Sequence, residues 1–374
     1  MNDILIIHNY LWSHYKAIVF SKLNNLCTDS GISLHVIQMA ESEKRRNGMG
    51  EFDLKLHNYP HSVLFRGNLD EINFWKRFKF LYKEVKANKA TVINIPGYED
   101  WAVVAIMLFL KISGYKIVMS FDSTKLDYKR NLLKEFIKSV LLRVPNSFLC
   151  YGQLQKDYLK SLGVKDENIH FRCQATNNKE ISNIYDKIAI NRNHNSIKKL
   201  LYVGRIDDSD KNIFKLIDIF DQINNIKWEL VIVGNGKDAE LLRLKISKLK
   251  SNISYYKGVG WEKVIEFYAS ANVFILPSTS EPWGLVVNEA MLCKLPILVS
   301  NHCGCYPHLV QDNVNGFSFD PNNIIDIQAK IEFMMQNDNL NEMGQKSFEL
   351  IQNYTPERSA QEMYNIFINK YITK

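Results

Sequence analysis

At 374 residues, with 46% hydrophobic and 23% charged side chains, the chain holds material for two packed domains of roughly 150 to 200 residues and excludes disorder or low complexity. The formal charge of +7 is unevenly placed: residues 1–175 carry 25 basic and 17 acidic side chains, and the remainder carry 22 and 23. Six cysteines, none in a CxxC pair, exclude a disulfide scaffold and fit a reduced, cytoplasmic setting.

The opening MNDILIIHNY lacks the charged region and long apolar stretch of a signal peptide. Short apolar runs then alternate with helical stretches, and strands are predicted over 4–8, 34–38, 63–65, 91–95, 116–120 and 147–150. The longest uncharged apolar run, 101–110, falls far short of the ~20 residues that span a bilayer. Two helical stretches are basic and amphipathic. In 73–89, Phe74, Trp75, Phe78, Leu81, Tyr82 and Val85 share one face, with Lys76, Lys79, Lys83 and Lys86 around the rest, and 129–143 repeats the theme. Such helices ordinarily pack on a sheet; the alternative use is an anionic membrane surface. Nucleic acid is not an expected partner, because no binding module accompanies the charge.

Residues 177–196, polar, rich in Asn and without a strand, read as a linker. Further strands are predicted over 200–203, 230–233, 253–256, 273–276 and 297–299, and a terminal helix over 355–371 with Thr355 as cap and Pro356 at its first position. The alternation predicts an α/β chain of two Rossmann-like, doubly wound parallel-sheet domains facing across a cleft. The expected divisions are 1–176, linker 177–196, 197–354, and a C-terminal helix in 355–374 that packs back toward the first domain.

The segment 277–296, PSTSEPWGLVVNEAMLCKLP, follows a strand and opens a helix, so backbone N–H groups at Gly284, Leu285 and Val286 offer a seat for a phosphate. Glu289 projects back toward that seat and suits two hydroxyl donors, as from a ribose; Glu281 reaches a second polyol. In YVGRIDDSDKN, a strand ends at Gly204 and Arg205 with Lys211 beyond, two cations that can clamp a diphosphate. Turns at Gly234 and Gly258 let backbone approach a ligand. Taken singly these are ordinary turns and helix charges; their common place at strand carboxyl ends of one sheet makes them a candidate site. No metal is expected, either at Asp208-Ser209-Asp210, which lies between the two cations, or at Cys303-Gly304-Cys305.

Together Gly204-Arg205, Lys211, the EPWGLVVNEAM run and SNHCGCYPHLVQDNVNGFSFDP resemble the retaining glycosyltransferases of family 4 (glycosyl transferases group 1), with the GT-B fold, specifically over about residues 198–325. The resemblance implies that Arg205 and Lys211 hold the donor diphosphate, Glu289 binds the ribose and Glu281 contacts the transferred sugar. It also implies that Pro282, Trp283, Gly284, Leu285 and Val286 supply backbone to sugar and phosphate, with the Gly258 turn beside the base. Catalytic residues are then Arg205, Lys211 and Glu281, and no cofactor is implied. The substrates that the resemblance implies are a UDP- or GDP-linked sugar and a glycan or lipid-linked acceptor, in bacterial surface polysaccharide synthesis; the basic helices add the inner face of the cell membrane as an expected place. The sequence departs from that pattern at Phe121, where many members carry a His before Asp122, and Asp122 alone is left as an acceptor-side candidate. Alternatives are a nucleotide-sugar epimerase of the same fold and a non-catalytic nucleotide-sugar-binding module. A dinucleotide oxidoreductase is excluded, because HNYLWS replaces GxGxxG after the first strand.

Overall fold

The computed structural model describes residues 2–44, 53–127, 131–189 and 197–372. The chain forms two compact units. One comprises Met1–Ser123, Lys129–Gln174 and Pro356–Lys374; the other comprises Thr124–Tyr128 and Ala175–Thr355.

The first unit holds the strands β1 (Asn2–Tyr10), β2 (Leu34–Ser42), β3 (His61–Asn68), β4 (Ala90–Ile95), β5 (Lys116–Phe121), β6 (Ser147–Cys150) and β7 (Ile169–Phe171). They form a parallel sheet in the order β3-β2-β1-β4-β5-β6-β7. Parallel strands are covered on both faces, which is why β1 reads as a continuous apolar run rather than an alternation. Leu5 and Ile7 enter one core with Leu81, Val85, Met107 and Tyr158, whereas Ile4 and Ile6 enter the opposite core with Phe20, Leu23, Met363 and Phe367. The second core joins the helix His14–Asp29 to the terminal helix Pro356–Phe367, so the end of the chain completes the first unit. A π-helical turn, Ile368–Ile372, follows it.

The second unit holds β8 (Lys198–Val203), β9 (Trp228–Gly234), β10 (Ile253–Lys257), β11 (Val273–Leu276), β12 (Ile297–Ser300) and β13 (Gly316–Phe319), all parallel in the order β10-β9-β8-β11-β12-β13. In each sheet the winding reverses once, between β1 and β4 and between β8 and β11. The crevice outside the carboxyl ends at such a reversal is where doubly wound sheets bind ligands.

Three features differ from the sequence expectation. The edge strands β7 and β13 are three and four residues long and carry too little apolar periodicity to stand out. Within the expected linker, Asn178–Ala189 is a helix in the second unit whose Ile181 and Tyr185, one turn apart, are buried; residues 190–196 lie outside the described residues. The two basic helices also part company. Phe74–Ala87 buries Leu81 and Val85 and packs Phe78 and Tyr82 on the core. Leu132–Leu141 buries none of its residues, leaving Leu132, Leu133, Phe136, Ile137 and Val140 exposed; Lys129 and Arg130, part of that expectation, lie outside the described residues. Among the described residues no helix is long and apolar enough to cross a membrane.

Candidate active site

In the second unit the loops after β8, β9 and β11 are tied to one another by backbone. Gly204 N–H donates to Val233 O at 3.0 Å, Ile206 N–H to Asn235 O at 2.9 Å and Asp238 N–H to Ile206 O at 3.1 Å. A Cβ on Gly234 would stand 1.8 Å from Gly204 O, and one on Gly236 would stand 2.2 Å from Ile206 O. The closeness expected of Gly234 toward a ligand is therefore taken up by the chain itself, which holds Arg205 in place. Gly258 faces Asn235, whose Cβ would lie 3.2 Å from an added Cβ. The loop after β11 docks on the short helix Asp208–Lys211, where Asp210 O accepts from Thr279 N–H at 2.9 Å and Ser280 N–H at 3.3 Å.

This docking joins two of the candidate residues. Lys211 Nζ lies 2.6 Å from Glu281 Oε2, with Lys211 buried and Glu281 half-buried. Glu281 is pinned from the other side by the segment after β12: Gly304 N–H donates to Glu281 O at 2.8 Å and Cys305 N–H to Trp283 O at 3.0 Å. Arg205 stays half-exposed, with Asp207 and Asp210 carboxylates at 4.0 and 3.8 Å, while Tyr202 OH donates to its carbonyl at 2.8 Å. It remains available to a phosphate, since ion pairs this loose at the surface contribute little.

The helix Leu285–Leu292 begins at Gly284, whose φ of 98° is left-handed, and no side chain caps it. Its first N–H groups keep the positive end of the helix dipole free for an anion. A Cβ on Gly284 would lie 3.4 Å from Glu281 Cγ, so the ion pair and the helix start adjoin. Pro282 is exposed, and Leu285 and Val286 are half-buried. Trp283 differs: its side chain is buried and its Nε1–H donates to Asn288 Oδ1 at 2.9 Å, which leaves only its backbone to face a ligand.

Glu289 sits one turn into this helix, and Tyr268 OH donates to its Oε2 at 2.9 Å. Burial raises its carboxyl from 4.5 to about 7, opposed by the Tyr268 hydrogen bond. Tyr268 carries no sequence signal for this role beyond its place on an apolar helix face. Cys303 and Cys305 are buried, and burial raises both thiols. No group of three or more His, Cys, Asp or Glu able to hold a metal occurs among the described residues.

In the first unit, two adjoining cavities of about 90 and 320 Å³ lie at the carboxyl ends of the strands around the β1/β4 reversal. Both are lined by Asn9, Tyr10, Pro96, Ser120, Phe121 and Asp122. Asp122 is exposed, and its carbonyl accepts from Gln155 Nε2 at 3.4 Å. Phe121 is buried among the rings of Tyr98, Phe148 and Tyr158, so no side chain at that position serves as a base. The smaller cavity also holds Lys16, Tyr151 and Arg172, which sequence reasoning missed. The one available signal was a lysine in a buried row, Lys16, Phe20, Leu23 and Cys27, spaced as one helix face.

Between pH 4.5 and 7 the native chain holds a proton at Glu289 that the unfolded chain has released, so this group's contribution to stability falls as pH rises through that window. Glu289→Gln is expected to flatten that slope, gaining on the order of 2 kcal/mol relative to wild type at pH 8 over pH 4. Denaturant unfolding at the two pH values measures it; an unchanged slope contradicts the buried environment of Glu289.

Residues 185–349, inside the second unit, match the family model of the glycosyl transferases group 1. The chain is 24% identical over 319 residues to an uncharacterized glycosyltransferase of Methanocaldococcus jannaschii, covering 83% of this chain and 84% of that one. It is 23% identical to the N,N'-diacetylbacillosaminyl-diphospho-undecaprenol alpha-1,3-N-acetylgalactosaminyltransferase of Campylobacter jejuni, over 78% of this chain and 79% of the other. Among solved structures, Anabaena HepE in complex with UDP and glucose superposes with a TM-score of 0.73 at 15% identity, covering 99% of this chain and 100% of that one. The chain thus resembles the group 1 glycosyl transferases over its second unit and has the GT-B fold of two parallel-sheet α/β units.

Proposed function

We propose that this protein is a retaining glycosyltransferase of family 4 that moves a sugar from a UDP- or GDP-linked donor to an acceptor hydroxyl without a metal. The second unit would hold the donor and the first the acceptor. The observation that carries this reading is the Lys211–Glu281 pair beside the uncapped helix start at Gly284, at the reversal of the second sheet. One place there offers a cation, a carboxylate and free backbone donors, as a diphosphate next to a polyol requires.

The bond between the anomeric carbon and the diphosphate breaks while the acceptor oxygen enters on the same face of the sugar. Negative charge then grows on the departing diphosphate. Arg205 meets it as a planar fork, and the N–H groups of 284–286 meet it as fixed dipoles, interactions that strengthen as the bond breaks. Lys211 spends one of its three donors on Glu281 and keeps the others for phosphate. Glu281 receives hydroxyls of the transferred sugar, and Glu289 receives those of the ribose. With Phe121 in place of a base, a donor phosphate oxygen takes the acceptor proton and Asp122 faces the acceptor.

Bacterial surface polysaccharide synthesis is the setting that the Campylobacter relative supports, since its name places its acceptor on diphospho-undecaprenol. An acceptor on a lipid would place the enzyme at a membrane surface, and the face proposed is the cytoplasmic one. The helix Leu132–Leu141 supports this, with an apolar face that the fold leaves unburied and with Lys134 and Arg143 exposed beside it.

Incubation with a panel of nucleotide sugars is expected to release nucleoside diphosphate, faster with acceptor than without. Arg205→Ala should lower turnover by about 10²-fold or more, whereas Glu289→Ala should chiefly weaken donor binding, by about tenfold or more. Equal, small effects contradict these roles; a product isomeric with the donor sugar favours an epimerase, and binding without release favours a binding module.

The protein should co-sediment with anionic liposomes at low salt, and L133D/F136D should abolish this. Wild-type protein that ignores such liposomes contradicts the membrane assignment.

A further inference from the structure

The smaller cavity of the first unit, about 90 Å³, is walled by two cations withdrawn almost entirely from water: Lys16 is 7% exposed and Arg172 2%. Both donate to the same neutral oxygen, the Tyr151 hydroxyl, Arg172 through Nη2 at 2.6 Å and Lys16 through Nζ. The Arg172 guanidinium lies 4.9 Å from the Tyr151 ring centroid, its Nη1 meets Met363 Sδ at 3.1 Å, and its Nε has no partner. Burial and the charge of Arg172 hold the Lys16 ammonium well below its ordinary pKa, with Asp122 acting in the opposite direction.

Two buried cations around one hydroxyl, with Asp122 as the one carboxylate among the described residues that line the same cavity, make a costly arrangement that a further anion would relieve. Packing does not account for it either. Lys16 continues the row that Phe20, Leu23 and Cys27 fill, and an apolar residue there would cost less. The place itself is the carboxyl end of the first sheet at its reversal, the position at which the second sheet carries its own anion seat.

We propose that Lys16, Arg172 and Tyr151 form an oxyanion site that takes a phosphate or carboxylate group. A cavity of about 90 Å³ has room for one such group. The adjoining cavity of about 320 Å³ adds Tyr98, Trp101, Asp70 and Asp100, aromatic faces and carboxylate acceptors suited to a saccharide. The two cavities share Asp122, so the acceptor class is a saccharide bearing an oxyanion near the hydroxyl that receives the sugar. The assignment to the acceptor rests on the transferase reading above, whereas the oxyanion site does not.

Inorganic phosphate and, separately, acetate are titrated at constant ionic strength into full-length protein saturated with UDP, which occupies the donor seat. The same titrations in Arg205→Ala protein without UDP weaken the donor seat by another route, so that any phosphate bound there is recognised as binding that Lys16→Met and Tyr151→Phe leave unchanged. Phosphate or acetate should bind wild type and Arg205→Ala alike, and at least tenfold more weakly to Lys16→Met and to Tyr151→Phe. The tighter of the two ions identifies the group. Unchanged thermal unfolding shows that the variants are folded, and Tyr151→Phe, which removes one oxygen, carries the comparison if Lys16→Met does not fold. Failure of both ions to bind wild type, or equal binding to the folded variants, overturns the proposal. Oxyanion binding without any sugar transfer would retain the site and remove the transferase reading.

Discussion

The candidate donor site depends on one buried ion pair. Lys211, on the short helix after β8, and Glu281, on the loop after β11, meet at 2.6 Å and bridge the reversal of the second sheet. Neither charge is tolerable alone at that depth: leaving one partner of such a pair uncompensated costs about 3–5 kcal/mol. The backbone around the pair is fitted to keep it. Asp210 O receives Thr279 and Ser280 on one side, and Gly304 N–H holds Glu281 O on the other. The Gly284 start of the next helix adjoins the same carboxylate. The pair thus fixes where a carboxylate, a cation and a set of backbone donors stand relative to one another.

The two sheets use their reversals for different chemistry. The second unit, nearly neutral, concentrates a few placed charges around a helix start. The first unit carries the chain's basic excess and spends it in two ways. The lysines of Phe74–Ala87 surround a helix whose Phe78, Leu81, Tyr82 and Val85 are taken up by the core. Lys16 and Arg172 instead are buried beside a cavity. Net charge alone does not distinguish these uses; depth of burial does.

Much of this was legible in the sequence, for a physical reason. Interior parallel strands are buried on both faces, so β1, β4, β5, β8, β9, β11 and β12 announce themselves as unbroken apolar runs, and the turns after them carry Arg205, Lys211 and Glu281. The edge strands β7 and β13 lacked that signal. Asn178–Ala189 does carry a helical repeat, Ile181, Ile184, Tyr185 and Ile188, but its Asn-rich and charged surroundings masked it as linker. Lys16, Tyr151 and Arg172 come from separate elements, and only the fold of the sheet brings them together. The partnership of Tyr268 with Glu289, and the inward turn of Trp283 toward Asn288, likewise needed the packing of one helix on another.

The most direct measurement is a double-mutant cycle on Lys211 and Glu281, using Lys211→Met and Glu281→Gln, read by denaturant unfolding and by nucleoside diphosphate release from the accepted donor. Each single substitution should cost about 3 kcal/mol of stability, and the double should cost at least about 1 kcal/mol less than their sum, with turnover lost in all three. Additive stability losses, or a single variant that retains wild-type turnover, would contradict the pair as the organising contact of the site.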